Sequence, residues 1–422
     1  MLQISFIRQH VELVKERLSV RYFYDLSVVD KVVEMDEQVR KLKVATETLQ
    51  GEINASSKEI GLLMGKGEKE AAEQKRQLVA LNKTGIQQLN EQLSVAEKQL
   101  QDELVKLPNL PHVSVKKGKT PEENEVVREG GTIPTLPANA QPHWDLIKKY
   151  ALVDFETGAK ITGSGFPLYK GRGAKLQRAL IQYFLDYNTA AGYTEYLPPL
   201  MVNEASAYGT GSLPDKEGQM YHVREDGLYL IPTAEVPVTN IYRDEIVKES
   251  DLPVKMTAYT PCFRREAGSF GSDVRGLNRV HQFDKVEIIQ LVHPGESYIV
   301  LESMVDLVEK LLQSLELPYR ILRLCGGDMG FTSALTYDFE VYSAAQQKWL
   351  EVSSVSNFET FQTNRMKIRY KDAGGKTQLL HSLNGSSLAL PRIVACLLEN
   401  NQTETGILLP TVLHSYFGAP SI

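Results

Sequence analysis

Apolar residues recur along the first quarter of the chain at alternating steps of four and three. They fall at Met35, Val39, Leu42, Leu49, Ile53, Ile60 and Leu63, with Thr46 and Ser56 as polar interruptions. That spacing is a coiled-coil seam. A second seam runs through Val79, Asn82, Ile86, Leu89, Leu93, Ala96, Leu100 and Leu107, and the two are separated by GKGEKE at 65–70. Its two glycines let the chain reverse, so an antiparallel helical hairpin is the simplest prediction. At about 1.5 Å per residue over about 35 residues, each helix would reach roughly 50 Å. A dimerising coiled coil would leave the same seams. The glycine turn favours the hairpin, and an arm of that length suits contact with a large partner.

The opening MLQISFIRQHVELVKERLSV reads as an amphipathic helix, too charged for a secretion signal. After the second seam, LPNLPHVSVKKGKTPEENEVVREGG is rich in proline, glycine and charge and reads as a linker. Beyond it the texture changes. A helix is predicted over 175–192, followed by the extended YTEYLPPLMV, and further helices over 297–315 and 391–400. Between them recur short β-branched runs: YLIPTAEVPVTNIY, VHQFDKVEIIQLV, YRILRL, TYDFEVYSA, WLEVSSVSN and KTQLLHSLNG. Strands with interspersed helices and tight turns predict an α+β domain built on an antiparallel sheet. The expected organisation is an arm over 1–107, a linker and entry segment over 108–140, and a main domain over 141–422.

Composition adds bounds. The 422 residues are 42% hydrophobic and 24% charged, enough for a large core. A formal net charge of −6 argues against whole-surface nucleic-acid binding but leaves room for a local basic groove. Three cysteines, Cys262, Cys325 and Cys396, have no metal-finger spacing and suit a reduced compartment. No run approaches the roughly 18 apolar residues of a membrane span. A cytoplasmic protein that does not engage membranes is expected. Neither a P-loop nor a strand-borne G-x-G-x-x-G occurs.

The densest chemistry lies in CFRREAGSFGSDVRGLNRVHQFDKVE, residues 262–287, where four arginines flank a glycine- and serine-rich loop. Arg264 and Glu266, two apart, would share one face of a strand. A guanidinium fork suits a phosphate or carboxylate, and Phe283 on the returning strand offers a flat face to a base. A charged hairpin laced with surface ion pairs would carry the same residues. PTAEVP places Thr233 and Glu235 on one face of a predicted strand, a hydroxyl and a carboxylate suited to an ammonium group. WLEVSSVSN offers Glu351 to a hard divalent cation. LNGSSLALPRIVACLLENNQ leads from a strand into a helix opened by Pro391, with Arg392 at its positive end, where an anion is welcome. Ordinary strand pairing and a capped helix would account for each taken alone.

In order, TAE, FRREAG…RGLNRVHQFDKVE, GDMGF…EVSSVSN and LNGSSLALPR resemble seryl-tRNA synthetase of the bacterial kind, a class II aminoacyl-tRNA synthetase. With the helical arm the resemblance spans nearly the whole chain. LIQYFLDYNTAAGYTEYLPP resembles motif 1, which builds the dimer interface; residues 263–283 resemble motif 2, and NGSSLALPR motif 3. The resemblance implies activation of serine by ATP to seryl-adenylate, then transfer to tRNA(Ser), with tRNA(Sec) left open. It implies Arg264, Glu266 and Arg392 as catalytic residues. Serine would be bound by Thr233, Ala234, Glu235, Arg264, Glu287 and Ser386. ATP would meet Arg264, Arg265, Glu266, Val280, Phe283, Glu351, Val352, Ser353, Ser354 and Arg392. Glu351 and Ser354 would carry Mg²⁺, and no zinc is expected. The partners implied are tRNA, through the arm and the motif 2 loop, and a second copy of the chain. Lys41, Lys43, Lys58, Lys69, Lys75 and Arg76 are candidates for phosphate contacts along the arm. Three positions depart from the family pattern: Gly326 where threonine is frequent, Phe270 in the loop, and Pro391 before the motif 3 arginine. Two alternatives remain: a relative that loads a carrier protein, which would generally lack such an arm, and a silent homologue, which would have no electrostatic need for Arg264, Glu266, Glu351 and Arg392 together.

Overall fold

The computed structural model describes residues 1–266 and 275–422. Most of the motif 2 loop, Phe270 included, thus lies outside the described residues. The chain divides into two compact units, one formed by 1–19 and 23–108, the other by 20–22 and 109–422.

In the first unit, helices Ser27–Gly65 and Lys69–Leu104 run side by side. Cross-pairs Lys31–Glu103, Lys43–Glu97, Asn82–Glu52 and Lys75–Glu59 fix their antiparallel direction. All nine positions of the first predicted seam and all eight of the second are buried or half-buried. The polar members sit in the seam too: Ser56 and Asn82 are buried, and Asn82 donates to Glu52 at 2.9 Å. The reversal falls where the glycines are, with Gly67 at φ +83°.

The second unit is built on an eight-stranded sheet. Its strands are β1 (Glu125–Gly130), β2 (Thr194–Glu195), β3 (Val254–Phe263), β4 (Gln282–Val292), β5 (Tyr319–Arg323), β6 (Leu335–Ser343), β7 (Lys348–Asn357) and β8 (His381–Ala389). Their spatial order is β1-β5-β6-β7-β8-β4-β3-β2, antiparallel except for β3 with β2. Strand β1 arises from the stretch read as linker, which shows that this stretch is partly structured. Along β6, Tyr337, Phe339 and Val341 enter the core while Asp338 and Glu340 alternate to the other face. Helices Arg172–Ala190, Ser297–Ser314 and Leu390–Asn400 supply Leu180, Phe184, Val305, Val308, Ile393 and Leu397 to the same core. The architecture is α+β.

Two local expectations are corrected. Thr233 and Glu235 do not share a strand: the chain turns at 232–234 and Glu235 opens the short helix Glu235–Thr239. Arg264 and Glu266 lie past the end of β3, and Glu266 takes φ +46°. In both cases a turn, rather than the period of a strand, turns the two side chains toward one place.

Candidate active site

One cleft of about 580 Å³ opens on the second unit. It is lined by Thr233, Glu235, Arg264, Glu266, Val280, Phe283, Glu287, Glu351, Val352, Ser353, Ser354, Ser386 and Arg392, so thirteen of the fifteen predicted site residues converge there. The other two do not line it. Ala234 is wholly buried. Arg265 is exposed and lays its guanidinium 5.5 Å from the ring centre of Tyr221.

On one wall, Arg264 holds its guanidinium 5.3 Å from the ring centre of Phe283. Its place is fixed by a backbone bond from Arg264 N to the His281 carbonyl at 2.9 Å, which closes β3 against β4. Glu266 accepts from Arg279 at 3.0 Å, and its backbone N–H donates to Gln219 Oε1 at 3.0 Å. Arg392, which lines the same cleft, sits in the first turn of Leu390–Asn400, where Pro391 presets the helical φ. A cation at a helix N-terminus opposes the helix dipole, so this placement favours an incoming anion. Arg392 Nε donates to the Asn278 carbonyl at 3.0 Å and Nη1 to the Glu351 carbonyl at 2.7 Å.

Deeper in lies a small polar chamber. Glu287 on β4 stands opposite Ser386 on β8 in register, and Thr233 donates to Glu287 at 3.2 Å. Lys285, two residues before Glu287, reaches the same carboxylate at 2.5 Å and is itself buried. Glu235 receives Gln362 Nε2. Burial, reinforced by the Glu287 carboxylate, pushes the Glu235 carboxyl up to about 7, against the opposing pull of Gln362 and Lys285. A partly enclosed pair of carboxylates with one lysine between them is short of positive charge, and an ammonium group would supply it.

Near Arg392, Ser354 donates to Asp338 at 2.6 Å across β6 and β7. Burial, and then the Glu351 carboxylate, push the Asp338 carboxyl well above the usual range. Two carboxylates and a hydroxyl are hard oxygen donors that fit a divalent cation completing its shell with water and phosphate. Among the described residues no three His, Cys, Asp or Glu side chains converge into a closed metal cage. Ser353 turns away from this group and donates to the Ser386 carbonyl at 2.5 Å.

Lys285, Asp338, Gln219, Arg279 and Gln362 were absent from the sequence prediction. Lys285 had a usable signal, since the i, i+2 spacing puts it on the face of Glu287. Asp338 had a weaker one, as the polar break in an apolar alternation. Arg279 had one as well, being among the four arginines that flank the loop at 262–287, whereas Gln219 and Gln362 arrive from a loop and a distant helix and had none.

Comparison with known proteins gives a consistent picture. Residues 1–111 match the model of the seryl-tRNA synthetase N-terminal domain. Residues 221–401 match that of the class II tRNA synthetase core domain for G, H, P, S and T. The serine–tRNA ligase of Salinibacter ruber is 49% identical over 420 residues, covering 99% of this chain and 98% of that one. That of Methylacidiphilum infernorum is 48% identical, covering 99% of each. Among solved structures, seryl-tRNA synthetase from Pyrococcus horikoshii complexed with ATP superposes with a TM-score of 0.92 at 34% identity, covering 100% of this chain and 99% of that one. Cytoplasmic serine–tRNA ligase from Naegleria fowleri in complex with AMP gives 0.87 at 27%, covering 100% and 98%.

Proposed function

This chain belongs to the seryl-tRNA synthetase family, and on that premise we propose how its cleft divides the work of serine–tRNA ligation among named residues. The chain is an aminoacyl-tRNA ligase for which ATP is a substrate. In the first step a serine carboxylate oxygen attacks the α-phosphorus, the bond to the bridging oxygen breaks and pyrophosphate leaves. In the second a hydroxyl of the terminal ribose of tRNA attacks the seryl carbonyl carbon and AMP leaves.

Arg264 holds the α-phosphate and the serine carboxylate, countering the charge that builds as phosphorus becomes five-coordinate. Arg392 takes the γ-phosphate. Phe283 and Val280 frame the adenine and Glu266 accepts from its amino group, with Arg265 at the rim. Thr233 and Glu235, joined through the buried Ala234, take the serine ammonium, and Glu287 with Ser386 takes the hydroxyl. Val352 and Ser353 shape the wall between the two subsites. Glu351 and Ser354, backed by Asp338, are the side chains that would hold Mg²⁺, whose chemistry is neutralisation of phosphate charge. No general base is required in the first step, because the nucleophile is already ionised at neutral pH. Alignment and charge neutralisation supply the acceleration.

A site that offers the Glu287 carboxylate and the Ser386 hydroxyl to a substrate hydroxyl disfavours alanine, which would bring no partner for them, although Glu287 keeps its bonds to Lys285 and Thr233. In the wider assignment the arm at 1–107 lies along a tRNA stem, 108–140 is the entry segment and 141–422 the aminoacylation domain. The helix Arg172–Ala190 and the extended segment after it form a homodimer interface, and the enzyme works in the cytoplasm on tRNA(Ser).

The observation that carries this reading is the convergence of Arg264, just past β3, and Arg392, in the first turn of Leu390–Asn400, on one cleft that Glu235, Glu287 and Glu351 also line. ATP–pyrophosphate exchange measured with each standard amino acid tests it: signal with serine alone is expected, and exchange with another amino acid instead would overturn it. Arg264→Ala should abolish that exchange. Retained activity removes Arg264 from the site.

A further inference from the structure

Behind the cleft wall lies a buried polar assembly to which no step above gives a task. His143 and Glu399 are both wholly inaccessible, and Nδ1 of the imidazole lies 2.6 Å from Glu399 Oε1. The backbone N–H of His143 reaches the same oxygen at 2.8 Å, Gln346 Nε2 donates to it at 2.8 Å, and Ser343 donates to the other oxygen. Burial alone would raise the Glu399 carboxyl, yet the bonds from His143 and Ser343 hold it below the usual range.

The far side of the imidazole faces the foot of the motif 2 loop. Leu277 N donates to His143 Nε2 at 2.8 Å. A backbone amide can only donate, so Nε2 is a bare acceptor and Nδ1 carries the ring proton toward Glu399. Gly276 sits beside the ring at φ +64°, where a Cβ would come within 2.3 Å of Nε2. Leu277 is fully buried, and Asn278 is nearly so, donating from its amide to Gln346 Oε1 at 2.9 Å. The carbonyl of that same Asn278 receives Nε of Arg392. One short path therefore runs from Glu399 and His143, through the Leu277–Asn278 peptide, back to Arg392 near the start of the helix that carries Glu399.

We propose that His143 is a positioning residue for the triphosphate: braced by Glu399 and Gln346, it fixes the Leu277–Asn278 peptide so that the Asn278 carbonyl aims the Arg392 guanidinium into the cleft. This rests on the reading of Arg392 as the γ-phosphate ligand. The imidazole touches neither substrate. It acts by removing alternative positions from a backbone segment that directly follows the glycine-rich loop, and hence from the arginine that leans on it. The two bonds to Arg392 divide the labour. The Glu351 carbonyl holds one terminal nitrogen from β7, while the Asn278 carbonyl sets the rotation of the guanidinium plane. With the second lost, Arg392 keeps its place but not its orientation, and a fork that must meet phosphate oxygens is sensitive to orientation.

Serine-dependent ATP–pyrophosphate exchange on the full-length enzyme, normalised to active sites counted by adenylate burst, tests this. His143→Leu should raise KM for ATP about tenfold, the effect of one lost buried hydrogen bond, with KM for serine moving less than about twofold. His143→Gln, whose side-chain oxygen can stand where Nε2 stood, should recover most of the loss. Gln346→Leu, which leaves the imidazole in place but frees the Asn278 amide, should give the same ATP-specific defect and serves if His143→Leu does not fold. In an Arg392→Ala background, His143→Leu should add nothing further. Additive effects on KM for ATP, or fewer active sites with both KM values unchanged, would overturn the role of His143 while leaving Arg392 in place. An Arg392→Ala enzyme with normal KM for ATP would overturn the reading of Arg392 and this proposal with it.

Discussion

Serine capture should be coupled to proton release from Glu235. The carboxyl stands at about 7 instead of the ordinary 4.5. Its causes are burial first and the Glu287 carboxylate second, only partly offset by Gln362 and Lys285. Between pH 4.5 and 7 the folded protein therefore holds a proton that the unfolded chain has released, so this group makes stability fall as pH rises through that window and level off above it. Binding runs the other way. The serine ammonium stays charged across the range and selects the ionised carboxylate, so affinity should improve as pH rises through 7. About one-tenth of the sites are ionised at pH 6 and about nine-tenths at pH 8, so KM for serine should fall about tenfold between them, or about 1.4 kcal/mol. The assay is exchange at saturating ATP, with serine varied at each pH and KM for ATP measured in parallel as control. Glu235→Gln should weaken serine and flatten the profile. A wild-type KM for serine that is constant from pH 6 to 8 would refute the reasoning, because an ammonium partner of fixed charge leaves no such flat line available to a carboxyl titrating near 7.

Three further outcomes are expected. Arg21, whose guanidinium donates to the carbonyls of Asn109, Met329, Gly330 and Ser333, should destabilise the second unit by about 3 kcal/mol when changed to methionine, since four acceptors lose their donor; urea unfolding reads this, and an unchanged midpoint contradicts it. At Gly326 a Cβ would lie 2.0 Å from the Val20 carbonyl, so Gly326→Thr should lower thermal stability by several degrees, even though threonine is the residue frequent there in the family; a wild-type melting curve would mean that the two backbones can part cheaply. Deleting residues 32–106 should spare exchange and cripple tRNA charging, and unchanged charging would mean that the hairpin is not an RNA arm.

What could be read beforehand followed from what a linear pattern encodes. The arm was legible because the seam period fixes which residues meet: the seam positions found inside are those named, down to the polar Ser56 and Asn82. The chemistry was legible as residue types, since guanidiniums beside a glycine-rich loop and an arginine at a helix start each state a preference for anions. Geometry between strands was not. Glu287 faces Ser386 only because β4 pairs β8 in one register, and a slip of one residue would send the serine hydroxyl to the wrong face. The misjudged stretches were turns: Thr233–Glu235 and Arg264–Glu266 carry the i, i+2 spacing of a strand but reach the cleft through a helix start and a left-handed residue.

The arm cations illustrate the same limit from the side of electrostatics. Lys41, Lys43, Lys75 and Arg76, offered as phosphate contacts, each pair with a carboxylate of the arm itself, Glu37, Glu97, Glu59 and Glu73. Exposed pairs of this kind are screened by water and salt and contribute little. A phosphate backbone arriving with its own condensed counterions can displace such carboxylates at little cost. Pairing therefore does not remove these residues from tRNA contact, but it does change the expected signature. Each lysine that leaves a glutamate frees a negative charge close to the nucleic acid, so charge-removing changes at the glutamates should tighten tRNA binding. Glu59→Gln should lower the KM for tRNA in the charging assay and leave exchange unmoved, while a raised KM would mean that the carboxylate, rather than its lysine partner, faces the RNA.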